Sequence, residues 1–563
     1  MPYYSLASVA DVALTLGIGL LVAIPLGRYM AKVYQGRPTM WDPLFLPIER
    51  VIYRGLGVNP RRSMGWKEYF VALLAVNLAA FVFLYLLLVE QQLLPLNALG
   101  APNMDWTLAF HTSAAFLTNT DYQHYSGESQ VSLLASLFGL QLMFFLSAAT
   151  GLAVVVAFIR GFTRKDGSLG NFWVDLTRSF VWILLPISVV GAVLLALAGT
   201  PETFHQSILL PMVGGGTQTT PVGPLASWDS IEWLGSNGGG FFGANGGHPL
   251  QNPNAITNMM AIVLMMAIPF GTPVLFGNMI RKPGEALPLL ATILVIFLIA
   301  LGLFLYFQAS YPFLAGNGVP VGQGNGYTIG AEARFTLPES DLFQVTSIYS
   351  NVGATSMSLG ALTPGAQMVL LWGMFLQSVP GGVGTGFGTL LLEALLAIFV
   401  GGLMVGRTPE YIGKKLNRDT IKWAALAILS HPFAILIPLA VAYVLGYGVA
   451  AGGISSHAFT VILYEFTSES ANNGSGSGPI NDATPFFNLA GAAIMLFGRY
   501  VPILAMLASA GALSRQTPLP PGPGTLRTES PTFTVYLILF IVVMTGLLFL
   551  PVLALGPFAQ GVP

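Results

Sequence analysis

The sequence predicts an all-α integral membrane protein with about ten transmembrane helices. Four parallel units, each a span, a short pore helix, a filter-like loop and a second span, would surround a pseudo-fourfold pore. Three observations lead there. Of the 563 residues 54% are hydrophobic and only 8% charged, too few charges to coat a water-soluble surface. The apolar residues fall into runs long enough to cross a bilayer. Four strings rich in Gly, Ser, Thr and Asn recur between those runs.

The runs cover roughly 8–28, 69–89, 131–158, 173–199, 256–279, 286–308, 366–406, 420–448, 485–512 and 532–556. The first has its positive charge after the apolar stretch, the reverse of a cleaved signal peptide, and is expected to be a retained span. Of the 23 Lys and Arg, 21 fall after spans one, three, five, seven and nine. Eight lie between Arg28 and Lys67, four between Arg160 and Arg178, and five between Arg407 and Lys422. Positive residues favour the cytoplasmic side, so both termini are expected outside. Arg334 and Arg499 alone break the pattern.

The strings "FLTNTDYQHYSGE", "SNGGGFFGANGGHPLQNPN", "IYSNVGATSMSLG" and "SESANNGSGSGPIND" centre near 120, 239, 353 and 474. Each follows a segment too short to cross: "DWTLAFHTSAAFL", "LASWDSIEWLG", "ESDLFQVTSIY" and "AFTVILYEFTS". Taken singly, such a string is ordinarily an exposed loop. Four at matched places read instead as re-entrant loops. Irregular backbone at membrane depth must line a protein-walled or water-filled cavity. Glycine lets successive carbonyls turn one way, and Ser, Thr and Asn add neutral oxygens. The C-terminus of each short helix brings partial negative charge. A weakly hydrated monovalent cation fits this better than calcium, which takes several carboxylates. The repeat boundaries this implies are 1–64, 65–165, 166–283, 284–418, 419–516 and 517–563, the first and last lying outside the repeats.

The seventh run is long, and its middle reads "QSVPGGVGTGFGTL". Pro380 removes a donor, and Gly381, Gly382, Gly384, Gly386 and Gly388 each disfavour helix by about 1 kcal/mol. The span is expected to break there, as a flexible kink or as an intramembrane barrier. Arg499 would repel cations under the loops or pair with a carboxylate. Glu393 suits helix packing. Arg407, Lys414 and Lys415 read as cytoplasmic anchors.

"FLTNTDYQHYSGE", "LGSNGGGFFGANGGHPLQNPN", "GGVGTGFG" and "GLMVGRTPEYIGKKL" closely resemble the potassium-binding A subunit of the Kdp potassium-transporting ATPase, in the superfamily of potassium transporters. The likeness extends over nearly the whole chain. It implies a subunit that binds external K+ in a four-loop selectivity filter. It also implies an intramembrane tunnel to a P-type ATPase partner that hydrolyses ATP. Small accessory membrane subunits and a prokaryotic cytoplasmic membrane are implied as well. The filter would comprise Thr118, Asn119, Thr120 and Gln123; Asn237, Gly238, Gly239 and Gly240; Ser350, Asn351, Val352 and Gly353; and Asn472, Asn473, Gly474 and Ser475. Within it the resemblance singles out Gln123, Gly239, Gly353 and Gly474 for selectivity. It also raises a structural role for Arg407, Lys414 and Lys415 beside the pore or partner, and makes the broken segment a barrier that diverts the ion sideways.

No phosphate-binding loop, nucleophile motif or metal-ligand spacing is legible, so no ATP site is expected in this chain. The net charge of −1 argues against nucleic acid as a partner. A stand-alone potassium channel or cation-coupled transporter of the same architecture is the alternative. A membrane-embedded enzyme would need convergent acid–base groups, which the strings do not offer.

Overall fold

The structure, a computed structural model, describes residues 6–212, 214–309, 330–448, 453–478, 480–518, 520 and 526–561. Pro479 of the fourth string lies outside the described residues. Among the described residues, ten helices are long and apolar enough to cross a membrane.

Helix α1 (Leu6–Gln35) and the short α2 (Asp42–Gly55) precede four units of one design. The first unit is α3 (Trp66–Val89), the short α4 (Trp106–Leu117) and α5 (Ala135–Thr163). The second is α6 (Phe172–Leu197), the short α7 (Leu225–Leu234) and α8 (Ala255–Met279). The third is α9 (Ala286–Gln308), the short α10 (Leu337–Tyr349) and a divided span, α11 (Pro364–Leu376) and α12 (Thr385–Met404). The fourth is α13 (Arg418–Val444), the short α14 (Ser456–Ala471) and α15 (Pro485–Leu513). Helix α16 (Pro531–Leu555) follows.

Local chemistry sets these boundaries. Asp105 caps α4 through Thr107 N at 2.9 Å, and Ser455 caps α14 through Ala458 N at 3.1 Å. Thr336 and Glu339 close α10 with a reciprocal capping box, as Asn254 and Thr257 close α8. The second spans α5, α8 and α12 are largely buried, whereas α1 and α3 expose most of their apolar surface. Lipid replaces water as the solvent for that surface, so exposure of Leu, Val and Phe there is expected. Helix α1 packs along α8. Gly27 and Gly271 bring the two backbones together: a methyl group on Gly271 would lie 2.8 Å from Ala23 O.

The expected break in the seventh span occurs at 377–384. Gln377, Gly381 and Gly384 take positive φ there (54°, 70° and 76°). Gly386 and Gly388 do not belong to the break. Both lie inside α12, and Gly388 gives room to Met506, whose Cε would meet a methyl group there at 2.9 Å. The string "GRTPEYIGKK" forms a small antiparallel hairpin pairing Glu410 with Lys415 and Tyr411 with Lys414.

Candidate ion-binding site

One backbone hydrogen bond is repeated at the end of all four short helices. Thr120 N donates to Ala115 O at 2.9 Å, Asn237 N to Glu232 O at 2.8 Å, Val352 N to Ser347 O at 2.8 Å and Asn473 N to Ser468 O at 2.8 Å. Each bond satisfies an orphan helix carbonyl and turns the chain sharply. The repeated bond also sets the register of the loops. Thr120, Asn237, Val352 and Asn473 are equivalent. The residues just before them, Asn119, Ser236, Asn351 and Asn472, all have positive φ (63°, 52°, 48° and 53°). Asn tolerates this backbone best after Gly, and it stands at three of the four positions. The residues just after are Asp121, Gly238, Gly353 and Gly474.

The loops interlock in a ring, each against the next in sequence and the fourth against the first. Asn119 Nδ2 donates to the second loop at Gly235 O (3.2 Å) and Ser236 O. Asn351 Nδ2 donates to Ala471 O of the fourth at 3.2 Å, and Asn472 Nδ2 to Thr120 Oγ1 of the first at 2.8 Å. The glycines follow the same circuit. A methyl group on Gly238 would overlap the Val352 carbonyl oxygen, one on Gly353 that of Asn473, and one on Gly474 that of Thr120. Gly353 and Gly474 also have positive φ (83° and 96°). The carbonyls of Thr120, Asn237, Val352 and Asn473 belong to residues with no exposed surface. None accepts a hydrogen bond among the described residues. Such orphaned buried carbonyls are rare. Four of them, beside four helix C-termini, form a neutral oxygen ring with the chemistry to replace the water of a monovalent cation.

The other expected residues frame this ring. Thr118 Oγ1 sits 2.7 Å from Thr120 Oγ1. Gln123 Nε2 donates to Gly240 O at 3.1 Å, tying the first loop to the second. Ser475 Oγ holds Asn473 Oδ1 at 2.6 Å, and Ser147 on α5 donates to Asn119 Oδ1 at 2.8 Å. Ser350 caps α10. Gly239, singled out for selectivity by the resemblance, has no positive φ, and its carbonyl is taken by Trp228 Nε1 at 3.0 Å. Gly238 shares the register of Gly353 and Gly474 instead. The rest of the second string folds as a lid over its own loop. Asn245 Nδ2 donates to Gly238 O at 2.5 Å, and Gln251 joins Phe242 N to Asp229. Arg334 fastens this lid through Gly247 O (2.6 Å) and Asn252 O (2.8 Å), which accounts for its place outside the charge pattern. His248 stacks on Phe242 at 3.6 Å. Burial, with Arg334 nearby, pushes its imidazole down to about 4.

Below the ring lies a pocket of about 30 Å³ lined by Asn119, Asn351, Asn472, Gly382, Thr385 and Arg499. Arg499 donates to Ser147 O at 2.9 Å and Thr385 Oγ1 at 3.1 Å. Among the described residues it has no carboxylate within ion-pair distance, so the pairing expectation for it is not met. The broken segment closes the floor: Gly381 N donates to Tyr349 O at 2.9 Å, and a methyl group on Gly384 would overlap the Gly151 carbonyl of α5. Pro380 and Gly382 are buried in this floor. Glu393 accepts from Ser378 Oγ at 2.6 Å and so braces it. A second pocket, also about 30 Å³, shares Gln377, Thr389 and Pro502 with the first and continues past His431 and Glu393 to Phe549 of α16.

Sequence reasoning missed Asp121, a wholly buried carboxylate at the register of the three glycines. Its signal was present in the aligned words "TNTD", "GSNG", "SNVG" and "ANNG". It also missed that His111, His124, Glu465, Glu469 and Asp482 converge beside the first and fourth loops, so acid–base groups are gathered where the strings showed almost none. Just before the hairpin, Arg407 is exposed. Lys414 is buried and donates to Arg164 O (2.7 Å), Leu513 O (3.2 Å) and Gln516 O (2.5 Å), locking together the ends of α5 and α15. Burial, with Lys165 nearby, lowers the affinity of its amine for a proton.

Known proteins match this chain over nearly its whole length. Residues 13–562 match the family described as Potassium-transporting ATPase A subunit. A protein of Geobacillus kaustophilus named potassium-transporting ATPase potassium-binding subunit is 41% identical over 543 residues, 96% of each chain. Proteins of the same name from Nostoc sp. and Pseudomonas aeruginosa are 41% and 40% identical, each over 98% of both chains. The crystal structure of the potassium transporter TrkH from Vibrio parahaemolyticus covers 89% of this chain and 96% of its own, with TM-score 0.51 and 16% identity, a likeness of fold. Matched over nearly its whole length at this level, the chain belongs to the potassium-transporting ATPase A subunit family.

Proposed function

We propose that this chain is the potassium-selective, ion-binding and translocating subunit of an ATP-driven potassium importer. The observation that carries the reading is the ring of four buried carbonyls, on Thr120, Asn237, Val352 and Asn473, that no hydrogen bond among the described residues satisfies. A cation there replaces the missing donors, and neutral oxygens favour an ion that gives up its water easily. The relatives' shared name, potassium-binding subunit, agrees with that chemistry.

Potassium enters from the outer side, through the loops that Gln123, Asn245 and Gln251 hold in place. The floor at 377–384 and the positive charge of Arg499 oppose straight passage. The second pocket gives a sideways course toward α13 and α16 and so toward a P-type ATPase partner subunit, which hydrolyses the ATP. Small accessory membrane subunits complete the assembly in a prokaryotic cytoplasmic membrane, with both termini outside.

The test is ATP hydrolysis by the assembly purified gently from native membranes through a tag on this chain. Hydrolysis that rises with potassium but not sodium, and travels with a co-purifying ATPase, supports the proposal. A stable chain that binds potassium with neither partner nor ATPase would replace it with a channel or cotransporter.

A further inference from the structure

Beside the ring, the first and fourth units meet in a knot of ionisable groups that the potassium site does not use. His111 lies on α4, His124 follows the first loop, Glu465 and Glu469 lie on α14, and Asp482 follows the fourth loop. His111 and His124 stack at 3.8 Å. Among the described residues no lysine or arginine pairs with any of the three carboxylates. Four of the five groups are buried, and Asp482, half-buried, gives the knot its opening to the external loops.

The hydrogen bonds around His124 leave one nitrogen facing an acceptor. Asn488 Nδ2 donates to Thr107 Oγ1 at 3.0 Å, so Asn488 Oδ1 is the atom facing His124 Nδ1, at 2.8 Å. Nδ1 therefore carries the proton. Nε2 then directs its lone pair at Glu465 Oε1, 3.1 Å away. Two acceptors at that distance need a proton or a metal ion between them. Next to them, Glu469 Oε2 and His111 Nδ1 are buried without a hydrogen-bond partner among the described residues.

We propose that His124, Glu465 and Asp482 form a binding site for a divalent transition metal of the zinc class, with His111 and Glu469 beside it. One imidazole nitrogen and two carboxylates, each offering an atom within 4.8 Å of the others, are a zinc-type donor set with a fourth position open. Ligand bonds of about 2.0–2.1 Å at a tetrahedral angle place neighbouring donors about 3.3 Å apart, close to the His124–Glu465 separation. Outer bonds of the usual kind are already in place: Asn488 orients the His124 ring, and the Tyr122 hydroxyl donates to Glu465 Oε2. The metal would clamp the first loop to the fourth pore helix, at the seam where Asn472 also reaches Thr120.

The test is zinc binding to the intact assembly after chelator stripping, measured with Zn2+ alone. Wild type is compared with Asp482→Asn, His124→Gln and the exposed cytoplasmic control Asp166→Asn. Zinc should bind wild type and the control equally and be weakened by about tenfold or more in the other two. Asp482→Asn, in a half-buried loop, keeps the test valid should His124→Gln fail to fold. Substituting Co2+ should give the intense visible bands of a tetrahedral site in wild type and the control, and not in the other two. Absence of zinc binding, as expected if protons alone hold the charge, or equal binding in all four proteins would overturn the assignment.

Discussion

Gly474→Ala tests the carbonyl ring most directly. Gly474 has φ of 96°, a backbone that costs an L-residue about 1–3 kcal/mol. Its new methyl group would also overlap the Thr120 carbonyl oxygen. To reach ordinary van der Waals contact, the first and fourth loops must part by an ångström or more, measured against a contact distance of about 3.5 Å. The ring then loses one well-placed ligand. A charge-assisted contact contributes about 1.5–3 kcal/mol, and each 1.4 kcal/mol is tenfold in affinity. The concentration of potassium that half-activates ATP hydrolysis should rise by about 10- to 100-fold, and sodium should begin to compete. Gly17→Ala on α1, with open space around it, is the control. A folded Gly474→Ala assembly with wild-type potassium dependence and wild-type rejection of sodium would refute the ring.

Arg499→Gln removes the one positive charge that lines the lower pocket, so potassium flux without ATP should rise in proteoliposomes; an unchanged leak would deny it a barrier role. Asp175→Ala should lower stability by about 3–5 kcal/mol, because Arg160, held by Asp175 at 2.5 and 2.8 Å, would be left buried and unpaired; a thermal melt reads this directly. His248 has its affinity for protons lowered to about 4 in the fold, against about 6.5 when unfolded. The unfolded chain thus binds more protons between those values, and stability should fall as pH drops from about 6.5 to about 4. His248→Gln should flatten that slope in melts across the window; an unchanged slope would place the dependence elsewhere.

Membrane class, ten spans, four polar strings and the break near Pro380 were all legible in the sequence, because each depends on residue type along a local stretch. An apolar run of bilayer length has one stable setting, and a proline followed by glycines cannot continue a helix whatever packs around it. Tertiary structure alone decided the register within each string. Gly238 rather than Gly239 joins Gly353 and Gly474, since the glycine is required where the next loop's carbonyl approaches, and that neighbour lies more than a hundred residues away. It likewise decided the fate of two cations in one short string, burying Lys414 among three carbonyls and leaving Arg407 exposed. The sequence records which groups can bond; closure of the four units into a ring determines which of them meet, as it does for His124 and Glu465, 341 residues apart.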